Sequence, residues 1–407
     1  MVAVVVAAGS GLVDPGPWRA AVAAPAPVCT GVADSEAQAS ALAVACDEPV
    51  VVDGSQTEFA QVVAQPDGRF LFESAAVPQR THRAGSWVDV DLGLVRAEDG
   101  LWRPAASVAD VAFSAGGPGP LATLVSDGRA LVMSWPGGAL PTPTVSGDSA
   151  TYPNVLPDVD LVVRATWTGF SHVFVVKSAS AAANPAVRQI RFGLGGDARV
   201  LPDPDGQLRA MVGSREIASA EPPVMWDSRT EGAGRSAGTQ ASPEGLASTA
   251  AAAGDAARVA PVEVEVSGSD LLLRPDAEFL TAPDTVFPLY VDPAWSVYKT
   301  KWAYATNNGS SNTDYSAARV GLNPDTGALY RSFFQFSTTA NGVSLRGKHV
   351  ESAYVQMKLD HSWSCDDTVT SMYWTAAIGA VGGVGSARGG SQLQFRRGRA
   401  LVEWRYR

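Results

Sequence analysis

Three times in the first third of the chain an Asp-Gly pair sits between two runs of β-prone residues: "FAQVVAQPDGRFLFESAAV", "SWVDVDLGLVRAEDGLWRPA" and "LATLVSDGRALVMSW". Glycine adopts positive φ without steric penalty and aspartate tolerates it, and a two-residue reversal between antiparallel strands requires that backbone. The stretch "VDLVVRATWTGFSHVFVVK" continues the pattern of short apolar runs broken by turn residues. These local signals restrict the chain from residue 50 onward to an antiparallel β domain, assigned here to 30–293.

Only one stretch predicts a helix. "DSEAQASALAVACDEP" offers Asp34 or Ser35 as N-cap, Gln38 in the capping-box position and an alanine-rich body. Cys29 and Cys46 flank it. In an oxidising compartment they close a small loop and restrict the unfolded chain by roughly 3 kcal/mol; otherwise they remain two thiols. No second Cys or His pair lies near enough to complete a zinc site.

The 407 residues exceed what one core usually serves, and 46% hydrophobic content is enough to fill several, so two or three domains are expected. Formal charge is −10, and arginines are scattered singly until the last dozen residues. No basic stripe is left to follow a phosphate backbone, which excludes nucleic acid as an expected partner. The start, 1–29, has an apolar run from Val2 to Val13 and an A-x-A step at Ala21 and Ala23, and it reads as a secretory signal without its positive end. That run is too short to span a membrane, and no other stretch is long enough.

Between 227 and 260 the chain carries no aromatic residue and a single large aliphatic one before Val259. Too little apolar surface is present to offset ordering entropy, so a flexible insertion is expected, with "PVEVEVSGSDLLLRPDAEFL" resuming strand alternation. In the following domain, 294–375, "YRSFFQF" places Tyr330, Ser332, Phe334 and Phe336 on one side. "ESAYVQMKLDHSW" places Ala353, Val355, Met357 and Leu359 on one face and Tyr354, Gln356 and Lys358 on the other. That half-wet alternation predicts a β-sandwich. From Ala376 the composition turns Gly-rich and basic, which is read as an atypical tail, 376–407, produced by a reading-frame shift. It is expected to be unpacked coil that leaves the sandwich truncated.

Motifs that carry chemistry are sparse. The chain lacks H-E-x-x-H, a P-loop and a strand-linked G-x-G-x-x-G. His349, His361 and Cys365 gather near a strand end, but neither a metal nor a nucleophilic thiol is supported by their spacing. His82 and His172 stand alone. Asp89 with Asp91, and Glu263 with Glu265, share strand faces as any solvated strand allows, although glycosidase chemistry also uses carboxylate pairs. "DPDGQLRAMVGS" puts Leu208 and Ala210 where a calcium loop needs oxygen ligands. No catalytic residue, metal or cofactor is assigned.

The segment from "WAYATNNGSSNTDY" through "ARVG", "RSFFQF" and "ESAYVQMKLDHSWSC" resembles the DNRLRE type of β-sandwich domain. Upstream, "YPNVLPDVDLVVRATWTGFSHVFVVKS", "NPAVRQIRFGL", "PPVMWDS" and "TAPDTVFPLYVDP" resemble the N-terminal region of large secreted proteins of high-GC Gram-positive bacteria. There the region precedes DNRLRE, LamG-like or RHS-type segments. The resemblance implies a secreted, non-catalytic scaffold or passenger region of a cell-surface or extracellular protein, associated with other secreted modules. The alternatives are a carbohydrate-binding adhesion module, gripping extracellular polysaccharide through Trp302, Tyr304, Asn307, Asn308 and Asp314 at a loop rim, and a secreted hydrolase.

Overall fold

The computed structural model describes residues 28–203, 206–230, 247–254, 256–297, 302–307, 311–312, 318–323, 327–358, 369–374, 388–394 and 399–404. The fold is mainly β, with several antiparallel sheets and few helices. The described chain divides into two compact units.

The smaller unit comprises Met1–Asp53 with Val63–Leu71. Its helix, Glu36–Cys46, starts where the sequence places it: the Ser35 side chain accepts from Gln38 N at 3.3 Å, and the Gln38 side chain accepts from Asp34 N at 3.3 Å. One orphan donor of the first turn, Gln38 N, is thereby satisfied, together with the N–H just ahead of the cap. Ala39 and Ala43 form the buried stripe, and Asp47 ends the helix in the left-handed conformation. Cys29 and Cys46 are joined by a disulfide across a separation of 17 residues. Val32–Ala33 runs parallel to Val50–Val52, whose Val50 and Val51 oppose Ala64 and Val63 in antiparallel register.

The larger unit comprises Gly54–Val62 and Phe72–Arg407. Strands from Asp91–Arg96 to Ala294–Ser296 form one closed system. Its first sheet runs through Asp91–Arg96, Trp102–Ala106, Asp110–Phe113, Pro120–Ser126 and Arg129–Ser134, then to Ile190–Gly196, Asp270–Pro275 and Val259–Ser267. The turn at Asp127 and Gly128, with φ of 50° and 70°, is the mirror-image reversal that Asp-Gly favours, and it sets Ser126 opposite Arg129.

A second sheet runs through Thr144–Ser146, Ser149–Leu156, Val159–Thr166 and Gly169–Val176. The far edge of Gly169–Val176 is shared, with Ala294–Ser296 along its start and Leu289–Asp292 along its end. Val224–Trp226 then pairs on one side with Leu289–Asp292 and on the other with Val259–Ser267, which ties the two sheets together. Phe113, Tyr152, Phe170, Phe174, Phe192 and Trp295 fill the space between the sheets and are shielded from solvent. Each such ring contributes roughly 2–3 kcal/mol by leaving water.

Three short helices that periodicity does not reveal, Ala179–Ala182, Pro185–Arg188 and Ala277–Thr281, are each started by a side-chain cap from Ser178, Asn184 or Asp276. Four or five residues are too few to show a 3.6-residue period. The boundary expected at residue 294 also moves, because Ala294–Ser296 pairs with both Gly169–Val176 and Arg215–Ala220.

The described parts of 227–260 are packed rather than flexible. Asp227 is fully buried, Ala250, Ala253 and Ala257 lie against Trp226 and Tyr290, and the strand Val259–Ser267 begins inside the range. Composition misleads there because the apolar area that orders the alanines is supplied by rings elsewhere in the chain. Residues 231–246 lie outside the described residues.

Beyond the closed system, Ser311–Asn312, Trp302–Thr306, Leu329–Phe334 and Gly321–Leu322 form a small antiparallel sheet in that order. Thr339–Ala340 pairs with Val343–Ser344 across Asn341 and Gly342. The described parts of the tail, 388–394 and 399–404, are paired strands rather than the unpacked coil expected there. Arg399–Trp404 pairs with Ala353–Lys358, and Arg388–Gln394 pairs with Val369–Trp374. Ladder bonds need only extended backbone, so an open strand edge recruits a segment whose composition alone does not mark it as a strand.

Candidate functional site

Three of the five residues nominated for a sugar rim, Trp302, Tyr304 and Asn307, lie in the described chain. Trp302 and Tyr304 point into the small sheet and are 7% and 8% exposed. Trp302 stacks on Phe334 at 6.3 Å between centroids, and Tyr304 meets Tyr330 edge-on at 5.5 Å. Burial pushes the Tyr304 phenol up to about 12. Asn307 closes the strand end, its side-chain oxygen accepting from Leu329 N at 2.8 Å while its own N–H donates to Leu329 O. Aromatics alternating with small residues on a strand signal a packed face as readily as a sugar platform, and here they pack. Asn308 and Asp314 lie outside the described residues, as do His361 and Cys365.

A polar cluster surrounds the buried Asp227, beside the cross-strand partners Trp226 and Tyr290. The two rings are nearly parallel, with centroids 5.5 Å apart. Asp227 Oδ1 accepts from Arg258 N at 2.9 Å and Arg229 N at 3.2 Å. Its other oxygen has no hydrogen-bond donor and sits 3.7 Å from Arg229 Nε, an ion-pair distance too long for a hydrogen bond. Arg229 and Arg258 both reach Asp284, at 3.2 and 2.9 Å. The hydrogen bond from Arg229, and then the charge of Arg258, hold the exposed Asp284 carboxyl below its ordinary range. Arg258 also lies over the Phe279 ring at 4.8 Å.

This cluster positions chain rather than reactants. Ser248 Oγ donates to Asp227 O at 2.6 Å and accepts from Gly254 N at 2.9 Å, while Ser228 Oγ donates to Pro288 O at 2.7 Å. Both hydroxyls are committed to backbone, with no base to activate either. Sequence reading missed the cluster by assigning Asp227 to an insertion. The signal was available in "PPVMWDS", where a tryptophan and a carboxylate follow a β-prone run directly.

His172 is buried, and neither ring nitrogen has a hydrogen-bond partner. Phe192 meets it edge-on at 4.8 Å and Phe170 lies 6.0 Å away. Burial pushes the imidazole down to about 3, so it stays neutral. The paired carboxylates are structural or solvated: Gly93 N donates to Asp91, and Arg274 pairs with Glu265 at 2.6 Å. A depression of about 370 Å³ lined by Asp110, Val125, Asp127, Arg215 and Glu216 is open at the surface, and its arginine pairs with Asp127. Among the described residues no group of three or more His, Cys, Asp or Glu could hold a metal ion, and no helix is long and apolar enough to cross a membrane.

Comparison with family models, with curated proteins and with solved structures found no match for this chain.

Proposed function

We propose that the chain is a secreted, non-catalytic scaffold region of a larger cell-surface or extracellular protein. The observation that carries the reading is the lacing of distant segments. Val224–Trp226 is fastened between Leu289–Asp292 and Val259–Ser267, and Gly169–Val176 has three different partners. Such cross-bracing commits the central strands to each other and favours a body that carries other modules over one that opens around a substrate. The groups pushed furthest from their ordinary pKa, His172, Tyr152 and Tyr304, are shifted chiefly by burial in aromatic or apolar surroundings. Burial is the leading cause in each case; the charge of Arg319 opposes it at Tyr304 without reversing it.

The Cys29 and Cys46 disulfide supports export, since such bonds persist mainly in oxidising compartments. The likeness of 294–375 to DNRLRE-type sandwiches supports a place among secreted modules. Adhesion to polysaccharide is the competing reading, and the burial of Trp302 and Tyr304 weighs against the residues first nominated for it. A glycan array probed with the full chain tests the choice. The scaffold reading expects no saturable retention on any polysaccharide; retention competed by the soluble sugar would replace it with adhesion.

A further inference from the structure

The sheet face formed by Val173, Val175, Val224, Trp226 and Tyr290 is covered by one piece of the chain's own backbone, residues 248–254, together with Ala257. This strap is bound the way a ligand is bound. Its two consecutive carbonyls take the polar edges of the aromatic pair: Trp226 Nε1 donates to Thr249 O at 3.2 Å, and Tyr290 OH donates to Ser248 O at 3.3 Å. The Ser248 hydroxyl donates to Asp227 O, and Ala250 and Ala253 pack against the cluster of Val173, Trp226 and Tyr290.

Among the described residues, no strand pairing joins the strap to the sheet beneath it. Among the described residues its backbone bonds turn inward: Thr249 N with Ala252 O at 2.9 Å, Ala252 N with Thr249 O at 3.3 Å, and Gly254 N with the Ser248 hydroxyl. The strands beneath are paired with each other and have no need of it. From the far side, Arg319 Nη2 donates to Ala253 O at 3.0 Å while its guanidinium lies over the Tyr330 ring. The strap is therefore gripped by side-chain donors on two faces, as a bound peptide would be.

We propose that the Trp226 and Tyr290 pair, with Asp227 O and Arg319, forms a peptide-binding site filled in cis by the segment "STAAAAG", and that it accepts a small-residue peptide folded in the same tight turn, Thr249 against Ala252, when the strap is displaced. Recognition rests on donors to consecutive carbonyls, which any peptide offers, and on closeness to the rings, which only alanine-, glycine- or serine-like side chains permit. The site does not depend on the scaffold reading and would exist in a binding module as well.

The test uses the full chain carrying Ala250→Asp and Ala253→Asp, which set carboxylates against the rings and expel the strap. The probe is a fluorescein-labelled peptide of residues 247–254, followed by fluorescence anisotropy. The strap variant should bind the probe saturably and at least about tenfold tighter than the unmodified chain does. Adding Tyr290→Phe, which removes one carbonyl donor and keeps the ring, should weaken binding about threefold to tenfold. A folded strap variant that binds no better than the unmodified chain, or binding indifferent to Tyr290→Phe, overturns the site. Hydrogen exchange on the unmodified chain decides the matter if the variant fails to fold. A displaceable strap requires the Thr249 and Ala252 amides to exchange at least about 100-fold faster than Met225 and Val291, and equal protection overturns the proposal.

Discussion

The strands Val159–Thr166 with Gly169–Val176, and the strands Leu329–Phe334 and Ala353–Lys358, are all rich in β-prone residues but bury very different shares of their side chains. In the first pair Val159, Leu161, Val163, Val173, Phe174 and Val176 are all fully buried. In the second, no side chain between Leu329 and Phe334 is fully buried, and Tyr354 is 45% exposed. The difference follows from neighbours. Gly169–Val176 has strands along both edges and packing on both faces, Phe170 and Phe174 toward the main core and Val173 toward Trp226. A near-continuous apolar run marks that doubly covered situation, and alternation marks a strand with one wet face.

The comparison is sharpest at equivalent residues. Phe174→Ala should cost about 3–5 kcal/mol in urea unfolding, whereas Phe336→Ala, at a residue 39% exposed, should cost under about 1 kcal/mol. Equal losses would mean that the two regions share one level of packing. Glycines divide in the same way. A Cβ on Gly169 would lie 1.8 Å from Trp295 O, so Gly169→Ala should cost about 3 kcal/mol or more, while the open surroundings of Gly327 leave only a backbone penalty of about 1 kcal/mol for its φ of 67°.

Histidines extend the contrast to pH. His172 is neutral when folded, with its pKa held near 3, while the unfolded chain takes up a proton near the ordinary value of about 6.5. The unfolded state therefore binds more protons between these values, and stability is lost as pH falls through that window. At pH 4.5 the loss due to His172 should be on the order of 3 kcal/mol relative to pH 7.5. His172→Leu should flatten that part of the pH profile, read by urea unfolding at pH 4.5 and pH 7.5. A small effect is likewise expected at Asn307→Ala, which removes the acceptor for Leu329 N and should cost about 1 kcal/mol, read as a shift in the urea midpoint.

How much of this was legible in the sequence depended on whether the cause was local. Asp127 with Gly128, and Ser35 with Gln38, act on their own backbone and could be read directly. The alternation of Val355 and Met357 against Tyr354 likewise marks the more buried side of that strand. What could not be read was set by distant partners. The alanines of 248–254 are ordered by Trp226 and Tyr290, and Ala294–Ser296 belongs to the larger domain through Gly169, Phe170 and Ser171. For the same reason Trp302 and Tyr304 could be nominated as a sugar rim, since only Phe334 and Tyr330 reveal that their faces are taken. The cluster around Asp227 joins residues up to 57 positions apart, from Asp227 to Asp284, and no spacing motif announces it.

The central claim is that Val224–Trp226 laces the parts of the chain before and after residues 231–246 into one body. It is tested most directly by placing a specific protease site between residues 235 and 241, cutting the purified protein, and sizing it under native conditions. The account predicts that the two fragments co-elute at the size of the uncut chain and separate only in denaturant; fragments that part on the native column would contradict it.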